Sequence, residues 1–415
     1  MRVAVAFSGG LDSTALLHSA VAAHGAENVV ALHVNHGLQK NADKWLLHCA
    51  RVANAMGVEF DFRLLELGEN SNISRNIEAQ AREKRYEALY EMCDAHGITN
   101  LLIGHHQDDQ AETILMQLMR GSGVAGLSGM PHVRKGGSSD IRIWRPFLDL
   151  TRADIESYGQ EHHLEWVEDP SNRDERFTRN AVRRKVVPLL EKIQPEIRGN
   201  LARSAAHASE AQYLLEKLAD MDLVGLEQSE GLTISALMNL RNDDPIRAKN
   251  VLRRWLQIND LVMPSEERLE AWWRDLESAS TNPDTQLAWL HDDVQLRLWR
   301  GVLTIVQESK LGSWRFIELP LGSPELGLPA TIYESAKEAG LIKERLRQGG
   351  EKIKIHPNRP RKTLKNLYQE MDIPPWQRDL PLLYLKGSLL AVAGIGMDVE
   401  VLTDNGPRYK AEWVV

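Results

Sequence analysis

The sequence predicts an α/β fold that begins with a doubly wound parallel sheet and continues into a helical middle domain and a small mixed α/β C-terminal domain. Short apolar strand candidates alternate with helix candidates, the strands at residues 3–7, 29–34, 59–64 and 101–103 and the helices at 41–56 and 77–96. Such alternation is typical of parallel strands joined by crossover helices. The carboxyl ends of these strands should therefore meet at one crevice, where doubly wound sheets bind their ligands.

Two changes along the chain suggest domain boundaries. Helical periodicity dominates residues 219–310, and a turn-rich stretch at 309–329 precedes a last segment of mixed character. A chain of 415 residues is expected to hold about three domains. We therefore expect domains at 1–215, 216–310 and 311–415.

The composition is that of an ordinary globular protein, with 43% apolar and 26% charged residues. No run approaches the roughly 18 consecutive apolar residues of a membrane span, and the N-terminal apolar run is too short for a signal peptide. The two cysteines, Cys49 and Cys93, form no Cys-x-x-Cys pair, which argues against structural zinc and disulfides. We expect a cytoplasmic protein with no membrane partner.

A tight turn follows the first strand and leads into a helix. It consists of Ser8, Gly9, Gly10, Leu11, Asp12 and Ser13. Its glycines let backbone N–H groups point inward, and the start of the helix, with Asp12 or Ser13 as the expected cap, favours an anion there. No Gly-Lys-Ser/Thr follows, so this is not a Walker A loop. It resembles the pyrophosphate loop of ATP pyrophosphatases, although an ordinary turn of small residues is the alternative.

A second polar segment follows the strand candidate at 101–103. His106 precedes a helix on which Asp109, Glu112 and Thr113 share one face. One interpretation is a helix N-terminus that favours acids, beside a packed histidine. A zinc site is a second, but the His-Glu-x-x-His spacing is absent. The third is an ATP site in which carboxylates hold Mg²⁺.

Two segments are basic, although the formal net charge is −8. Residues 176–185 contain five basic side chains and no acid, and residues 343–365 contain nine basic side chains and two acids. Arg176, Arg179 and Arg183 have the spacing of one helical stripe, which suits phosphates of RNA or ATP. A solvated stripe paired with nearby acids is the alternative.

These motifs together resemble those of the tRNA(Ile)-lysidine synthetases over nearly the whole chain. The matching segments are Ser-Gly-Gly-Leu-Asp-Ser at 8–13, His-Val-Asn-His-Gly-Leu at 33–38, His-Gln-Asp-Asp-Gln-Ala-Glu-Thr at 106–113, Arg-Gly-Ser-Gly at 120–123, Arg-Pro at 145–146, Asp-x-Ser-Asn at 169–172, Arg-Asn-x-x-Arg at 179–183, Lys-x-Leu-Lys at 362–365 and Pro-Pro-Trp-x-Arg-Asp-x-Pro-Leu at 374–382. The loop alone fits several families, whereas its combination with the C-terminal motifs is specific. The resemblance implies a Rossmann-like PP-loop ATPase domain followed by two tRNA-binding domains.

The resemblance also implies a ligase reaction. ATP adenylates the C2 oxygen of the wobble cytidine in the CAU anticodon of an isoleucine tRNA, and free L-lysine then displaces AMP to form lysidine, which switches decoding from AUG to AUA. The loop N–H groups and Mg²⁺ would meet the charge on the departing pyrophosphate. The implied partners are this tRNA, ATP and lysine. The oligomeric state stays open, with a homodimer as one option.

Site residues follow from the same motifs. Residues 8–13 are expected to bind ATP, and Asp12, His106, Asp109 and Arg120 form the expected catalytic set. Because Asp12 and Asp109 converge at strand ends, we expect them to hold Mg²⁺-ATP while His106 assists adenylation. The expected RNA contacts are Arg176, Arg179, Arg183, Arg359, Arg361, Lys362, Lys365 and Arg378.

One position departs from the family pattern. Asn35 stands where many relatives carry aspartate, and an amide cannot act as a base on the lysine amine. An already deprotonated amine from solution, or a carboxylate such as Asp12 or Asp109, would have to serve.

Two other functions remain as alternatives. Another PP-loop enzyme would be a tRNA thiolase, which needs a cysteine relay, or an amidating synthetase, which normally brings a glutaminase unit. A non-catalytic RNA-binding adaptor on the same fold would retain RNA without releasing AMP.

Overall fold

The computed structural model describes residues 2–35, 42–65, 77–136, 140–168, 174–228, 231–280, 286–291, 294–307 and 312–414. The motif residues at 36–38 and 169–172 lie outside these ranges. The chain divides into two compact units, Met1–Leu218 and Ala219–Val415. The finer division at residues 215 and 310 stays a prediction. None of the helices in the described ranges is long and apolar enough to cross a membrane.

The first unit alternates strands and helices. Its elements are β1 (Val3–Ala6), α1 (Leu11–His24), β2 (Val29–Asn35), α2 (Ala42–Ala55), β3 (Glu59–Leu64), α3 (Ile77–Ala95), β4 (Asn100–Leu102), α4 (Gln107–Met119), α5 (Val124–Leu127), β5 (Val133–Lys135), β6 (Arg142–Trp144), α6 (Arg152–Glu161), α7 (Thr178–Ala181), α8 (Val187–Ile193) and α9 (Ile197–Leu223), whose last turn enters the second unit. A π-helical turn, Val182–Val186, joins α7 to α8.

The strands of the first unit form one sheet in the order β3-β2-β1-β4-β6-β5. All neighbouring pairs are parallel except β5 with β6. The chain moves outward from β1 to β2 and β3, then returns to place β4 on the other side of β1, so the carboxyl ends of β1 and β4 border a topological switch point. The doubly wound parallel sheet predicted from the alternation is therefore confirmed.

Alternate residues of β1 supply the two faces of the sheet. Val3 and Val5 pack in the cluster that includes Leu16 of α1, whereas Ala4 packs with Met92 of α3 on the opposite face. This period of two follows from strand geometry. Helices therefore cover both faces of the sheet. The carboxyl ends of its strands are the part where ligands are expected to bind.

The sequence predicts two helix starts from capping residues, one at Asp12 or Ser13 and one at the capping-box spacing of Thr151 and Asp154. The capping box at α6 is confirmed: Thr151 Oγ1 accepts from the backbone N of Asp154 at 3.1 Å, and the Asp154 carboxylate accepts from the backbone N of Thr151 at 2.8 Å. The cap predicted for α1 at Asp12 or Ser13 is wrong. That helix is capped by Gly10, without a side-chain hydrogen bond, because Ser13 is used to close the preceding turn.

The middle region of the chain is helical, as predicted, and also contains a sheet that the sequence analysis did not predict. Its helices are α10 (Ile234–Asp243), α11 (Pro245–Ile258) and α12 (Glu266–Ser280), and its strands, in the order β7-β8-β11-β10-β9, are β7 (Glu227–Gln228), β8 (Gly231–Thr233), β9 (Leu287–His291), β10 (Val294–Trp299) and β11 (Val302–Gln307). The sequence predicts packing rather than base stacking for the tryptophans of this region, and Trp255, Trp272 and Trp273 are indeed buried in its core.

The last part of the chain is rich in short strands. Its elements are β12 (Ser313–Glu318), β13 (Leu328–Pro329), α13 (Ala330–Glu338), β14 (Ile342–Arg345), β15 (Lys352–Ile353), β16 (Lys362–Thr363), α14 (Leu364–Glu370), β17 (Leu382–Leu385), β18 (Ser388–Val392), β19 (Gly396–Met397) and β20 (Arg408–Val414). Within the described residues they form sheets of three, four and two strands. This agrees with the mixed α/β character predicted for the C-terminal region.

Candidate active site

The loop at residues 8–13 is closed by a serine hydroxyl. Ser13 Oγ accepts from the backbone N of Ser8 at 3.2 Å and donates to the carbonyl oxygen of Gly10 at 3.1 Å. In the described part of the chain, no side chain caps the first amide groups of α1. Uncapped helix-start amides beside a glycine turn form a ready anion site. The loop therefore has the local geometry that phosphate binding requires.

Two glycines let the loop pack closely against its surroundings. Gly9 has a φ of +79°, and a Cβ there would lie 2.6 Å from Cys49 Sγ and 2.9 Å from Trp45 Nε1. The Trp45 indole in turn donates to the carbonyl oxygen of Ser8 at 2.8 Å. A Cβ on Gly104, just beyond β4, would lie 3.0 Å from the backbone oxygen of Asp12. The loop is thus held between α2 and the end of β4, with no space for a side chain at either glycine.

The start of α4 faces the loop. His106 is 1% exposed, and its Nε2 lies 3.8 Å from an Asp12 carboxylate oxygen and 3.4 Å from an Asp109 carboxylate oxygen. The backbone N of His106 donates to the Asp109 carboxylate at 3.1 Å. The structure therefore brings together three of the four residues of the predicted catalytic set. Their chemical roles remain predictions.

Two arginines meet a fully buried carboxylate beside this cluster. Glu112 is 0% exposed; it accepts from Arg179 Nε at 2.8 Å and from Arg183 Nη2 at 3.0 Å. Each arginine also donates from Nη2 to Asp109 Oδ1 at 3.1 Å. A buried carboxylate requires such partners, since an unpaired charge is costly inside a protein.

The expected basic stripe of Arg176, Arg179 and Arg183 does not exist as one helical face. Arg176 precedes α7 and pairs with Asp174, whereas Arg179 and Arg183 turn toward the buried carboxylates of α4. The regular spacing of the three arginines predicts one helical face. It carries no information about partners that are distant in the sequence, so it could not show that two of these side chains pair with α4. Two of the three arginines therefore belong to the crevice, and a role for them in RNA binding stays a prediction.

The charges around Asp109 set its protonation. Burial by itself raises the pKa of the Asp109 carboxyl, but the electrostatic interactions with His106 and Arg179 outweigh burial, so its pKa lies below the ordinary value. Burial also disfavours the charged form of Arg183, yet its hydrogen bond to Glu112 leaves its pKa above the ordinary value. Asp109 and Arg183 are therefore both ionised at neutral pH.

Sequence reasoning missed three further arginines at this site. Arg145 Nε donates to His105 Nδ1 at 3.1 Å, Arg198 pairs with Asp108, and Arg152 Nη1 lies 3.2 Å from an Asp12 carboxylate oxygen. Arg145 was noticed only as part of a family motif, and no pattern in the sequence marked Arg152 or Arg198. Each lies at least 40 residues from its partner, so local periodicity carried no signal for the contact.

His105 is expected to stay neutral through the physiological pH range. Burial lowers its pKa to about 3, against an ordinary value near 6.5. Below pH 6.5 the unfolded chain binds a proton at His105 that the folded chain does not bind. The free energy of unfolding therefore decreases as the pH falls from 6.5 toward 3. Histidine NMR titration should show no transition for His105 between pH 5 and 8. A midpoint near 6.5 would contradict its burial in the folded protein.

Unfolding by urea at several pH values provides the second measurement. The His105→Gln variant should lose less stability than the parent between pH 6.5 and 4.5. His207, which is exposed at 77%, is the matched control, and His207→Gln should leave the pH dependence unchanged.

The fourth residue of the predicted catalytic set is not brought to the loop. Arg120 follows the last residue of α4 and is exposed. Eleven residues separate it from Asp109, which corresponds to about 16 Å along the helix axis. The role predicted for Arg120 receives no support from its position.

The remaining predicted RNA contacts lie in the second unit. Arg359 and Lys365 are exposed. The others have intramolecular partners: Arg361 pairs with Asp398 and Glu400, Lys362 pairs with Glu370, and Arg378 Nε donates to the carbonyl oxygen of Ile373 at 2.7 Å.

The donor set fits a magnesium ion that takes most of its ligands from elsewhere. Asp12 and Asp109 both approach His106 Nε2, so their carboxylates are close neighbours. Among the described residues no group of three or more His, Cys, Asp or Glu side chains forms a metal cage. Mg²⁺ is commonly held by one or two carboxylates together with phosphates and water, so its binding by Asp12 and Asp109 stays a prediction.

Comparison with known proteins places the chain in a class and a family. Residues 1–190 match the family described as PP-loop domain, so the first unit is a PP-loop domain of an ATP-using enzyme. Residues 235–304 match the TilS substrate binding domain, and residues 342–413 match the TilS substrate C-terminal domain.

Two curated relatives extend the comparison to the full length. The tRNA(Ile)-lysidine synthase of Burkholderia pseudomallei (strain K96243) is 37% identical over 457 residues, and that of Ralstonia nicotianae (strain ATCC BAA-1114 / GMI1000) is 39% identical over 448 residues; each comparison covers 99% of this chain and 92% of the relative. The chain belongs to the tRNA(Ile)-lysidine synthase family. Among solved structures, the U34-tRNA thiolase NcsA from Methanococcus maripaludis is similar over 51% of this chain and 73% of its own, with 18% identity and a TM-score of 0.44.

Proposed function

We propose that this chain joins L-lysine to C2 of the wobble cytidine in the CAU anticodon of an isoleucine tRNA, through an adenylated cytidine, with release of pyrophosphate and AMP. The observation that carries this proposal is the loop at residues 8–13, which leads into the uncapped start of α1 and brings Asp12 close to His106, itself next to Asp109, in one crevice of a PP-loop domain. Family membership over nearly the full length supports the choice of tRNA and lysine.

In the adenylation step, the loop binds the phosphates of ATP. The open amides of α1 stabilise negative charge on the β- and γ-phosphates, and the Ser13 hydroxyl closes the turn before them through its hydrogen bonds to Ser8 and Gly10. Asp12 and Asp109 would hold Mg²⁺, which would neutralise phosphate charge when bound. His106 lies between the two carboxylates, where its N–H is placed to donate to a phosphate or to the developing charge.

The second step transfers lysine, and its amine must attack in the neutral form. Asn35, at the buried end of β2, carries no basic group. The lowered pKa of Asp109 makes it a poor base, and its carboxylate is already paired with two arginines. These facts argue against Asn35 and Asp109 as the base and leave two candidates, the Asp12 carboxylate and a lysine amine that arrives deprotonated from solution.

A thiolation function is less well supported. Burial raises the pKa of Cys49 and that of Cys93 to about 12, so both thiols are protonated and unsuited to a sulfur relay. In the described part of the chain, both cysteines are free. Free thiols also agree with our proposal that the enzyme works in the cytoplasm, where its tRNA and ATP are present.

A single assay tests the function. The chain is mixed with ATP, labelled lysine and unmodified isoleucine tRNA bearing a CAU anticodon, and both AMP and lysine incorporation are measured. We expect both products, and no incorporation into methionine tRNA. AMP release without lysine incorporation would indicate another acceptor, and RNA retention without AMP would indicate an adaptor.

Replacing Asp109 by asparagine should lower kcat by about 100-fold or more, because a charged group beside the reacting phosphates is lost. Asp149, whose side chain is 83% exposed, is the matched control, and Asp149→Asn should keep full activity. Normal turnover by the Asp109→Asn variant would show that the assignment of Asp109 is wrong.

A further inference from the structure

Arg152 reaches the loop from an element with no assigned role. It is the first residue of α6, and its Nη1 lies 3.3 Å and 3.2 Å from the two carboxylate oxygens of Asp12. Asp12 is itself part of the loop that faces the phosphates. The guanidinium group of Arg152 therefore stands at the edge of the anion site.

The backbone of Arg152 is fixed at the same crevice. Its N–H donates to Asp108 at the start of α4 at 3.3 Å, and the capping box of Thr151 and Asp154 fixes the turn around it. Further along α6, a Cβ on Gly159 would lie 2.9 Å from Leu11 Cδ1, so α6 packs directly on the start of α1. The backbone of Arg152 is thus fixed in position where α6 packs against α1 and contacts α4, and its long side chain extends from this point.

Arg152 differs from the other arginines of the crevice because it pairs with a partly exposed group and not with a buried one. Arg179 and Arg183 neutralise buried Glu112, and Arg145 is buried against His105 and the carbonyl oxygen of Pro131. The side chain of Arg152 is 47% exposed, and that of Asp12 is 30% exposed. Ion pairs this open to solvent contribute little to stability.

The donors of Arg152 are largely available for a ligand. Of its five guanidinium N–H groups, only those of Nη1 contact an acceptor within the described residues. A planar guanidinium that presents parallel N–H groups suits phosphate oxygens, to which arginine binds in bidentate fashion.

We propose that Arg152 binds the β- and γ-phosphates of ATP and then the pyrophosphate that leaves. This inference rests on the proposed adenylation. As the cytidine O2 bonds to the α-phosphorus, the bond from that phosphorus to the bridging oxygen breaks, and its electron pair stays on the pyrophosphate. Arg152 and the loop amides meet this added negative charge, while Asp12 orients the guanidinium group.

Binding of inorganic pyrophosphate and of AMP to the full chain, measured by calorimetry with Mg²⁺ present, tests the inference. Arg152→Ala should weaken pyrophosphate binding about 10- to 100-fold, the usual worth of charge-assisted hydrogen bonds, and leave AMP binding within about twofold. Arg152→Lys should recover only part of the loss, because an ammonium group lacks the planar fork. Arg142, exposed on β6, is the matched control, and Arg142→Ala should change neither affinity.

Equal weakening of pyrophosphate and AMP would mean that Arg152 only supports the shape of the site, and unchanged pyrophosphate binding would also overturn the inference. If Arg152→Ala does not fold, the same comparison is made with Arg152→Lys. Because this measurement uses neither tRNA nor lysine, its failure can be distinguished from a failure of the lysidine assignment. A chain that needs Arg152 for pyrophosphate but incorporates no lysine would overturn the lysidine assignment and keep the pyrophosphate site.

Discussion

The Glu112→Ala variant is expected to lose about 3 kcal/mol of unfolding free energy, because it leaves Arg179 and Arg183 without their buried partner. The loss is expected at the low end of the range for broken buried pairs because both arginines are partly exposed to water. Urea unfolding followed by circular dichroism measures the change. Activity should fall as well, since both arginines also contact Asp109.

Two further variants separate charge from packing. The replacement of all four charged residues, Glu112→Leu with Arg179→Met, Arg183→Met and Asp109→Asn, should regain most of the stability but not the activity, since neutral groups of similar size often replace buried ion pairs without cost. Glu156, exposed on α6, is the control, and Glu156→Ala should be within about 0.5 kcal/mol of the parent. Full stability in the Glu112→Ala variant would show that the buried ion pairs do not contribute as expected.

The Gly9→Ala variant is expected to lower kcat/KM for ATP by about 100-fold or more. The new Cβ would lie 2.6 Å from Cys49 Sγ in a backbone conformation at φ +79°, so the loop must shift away from α2. A displacement of about 1 Å at a reacting group costs on the order of 100-fold in rate. Steady-state kinetics at varied ATP, with the other substrates saturating, measure the loss.

The clash and the backbone strain can be tested separately. Adding Cys49→Ala removes the nearer atom and should restore part of the activity, although Trp45 Nε1 remains 2.9 Å from the new Cβ. Gly97 has a φ of +63°, and among the described residues no atom lies within 4 Å of the position that a Cβ would take there, so Gly97→Ala carries the strain alone. It should cost about 1–2 kcal/mol of stability without raising the KM for ATP. Wild-type kinetics in Gly9→Ala would exclude the close packing of the loop.

The sheet and the loop were predictable because both are local in origin. The strand at Glu59–Leu64 was predicted with the same bounds, and the Thr151 capping box was visible as a four-residue pattern. The turn of Ser8 to Ser13 needs its glycines for reasons of backbone geometry, which the sequence shows directly. Convergence of Asp12 with His106 followed from the general rule for strand ends in such sheets.

The arginines of the crevice and the middle sheet could not be predicted in the same way. Arg179 and Arg183 looked like a surface stripe, since arginine is usually exposed and the buried Glu112 lies 67 and 71 residues away. Strands β10 and β11 are joined by Arg300 and Gly301, both with positive φ. This pair lacks the Asn-Gly or Asp-Gly signal of a tight hairpin, and neighbouring helical periodicity concealed the strands.

The long separation between Glu112 and its arginine partners affects how the protein is made. A ribosome adds roughly 5–20 residues per second, so α4 is synthesised about 3–14 s before Arg179 and Arg183 follow. During that interval β5 and β6 are added to the four strands already synthesised, but the two arginines that pair with Glu112 in the folded protein are still missing. Burial of α4 is therefore coupled to the arrival of α7, and the nucleotide site matures only after most of the first unit has been translated.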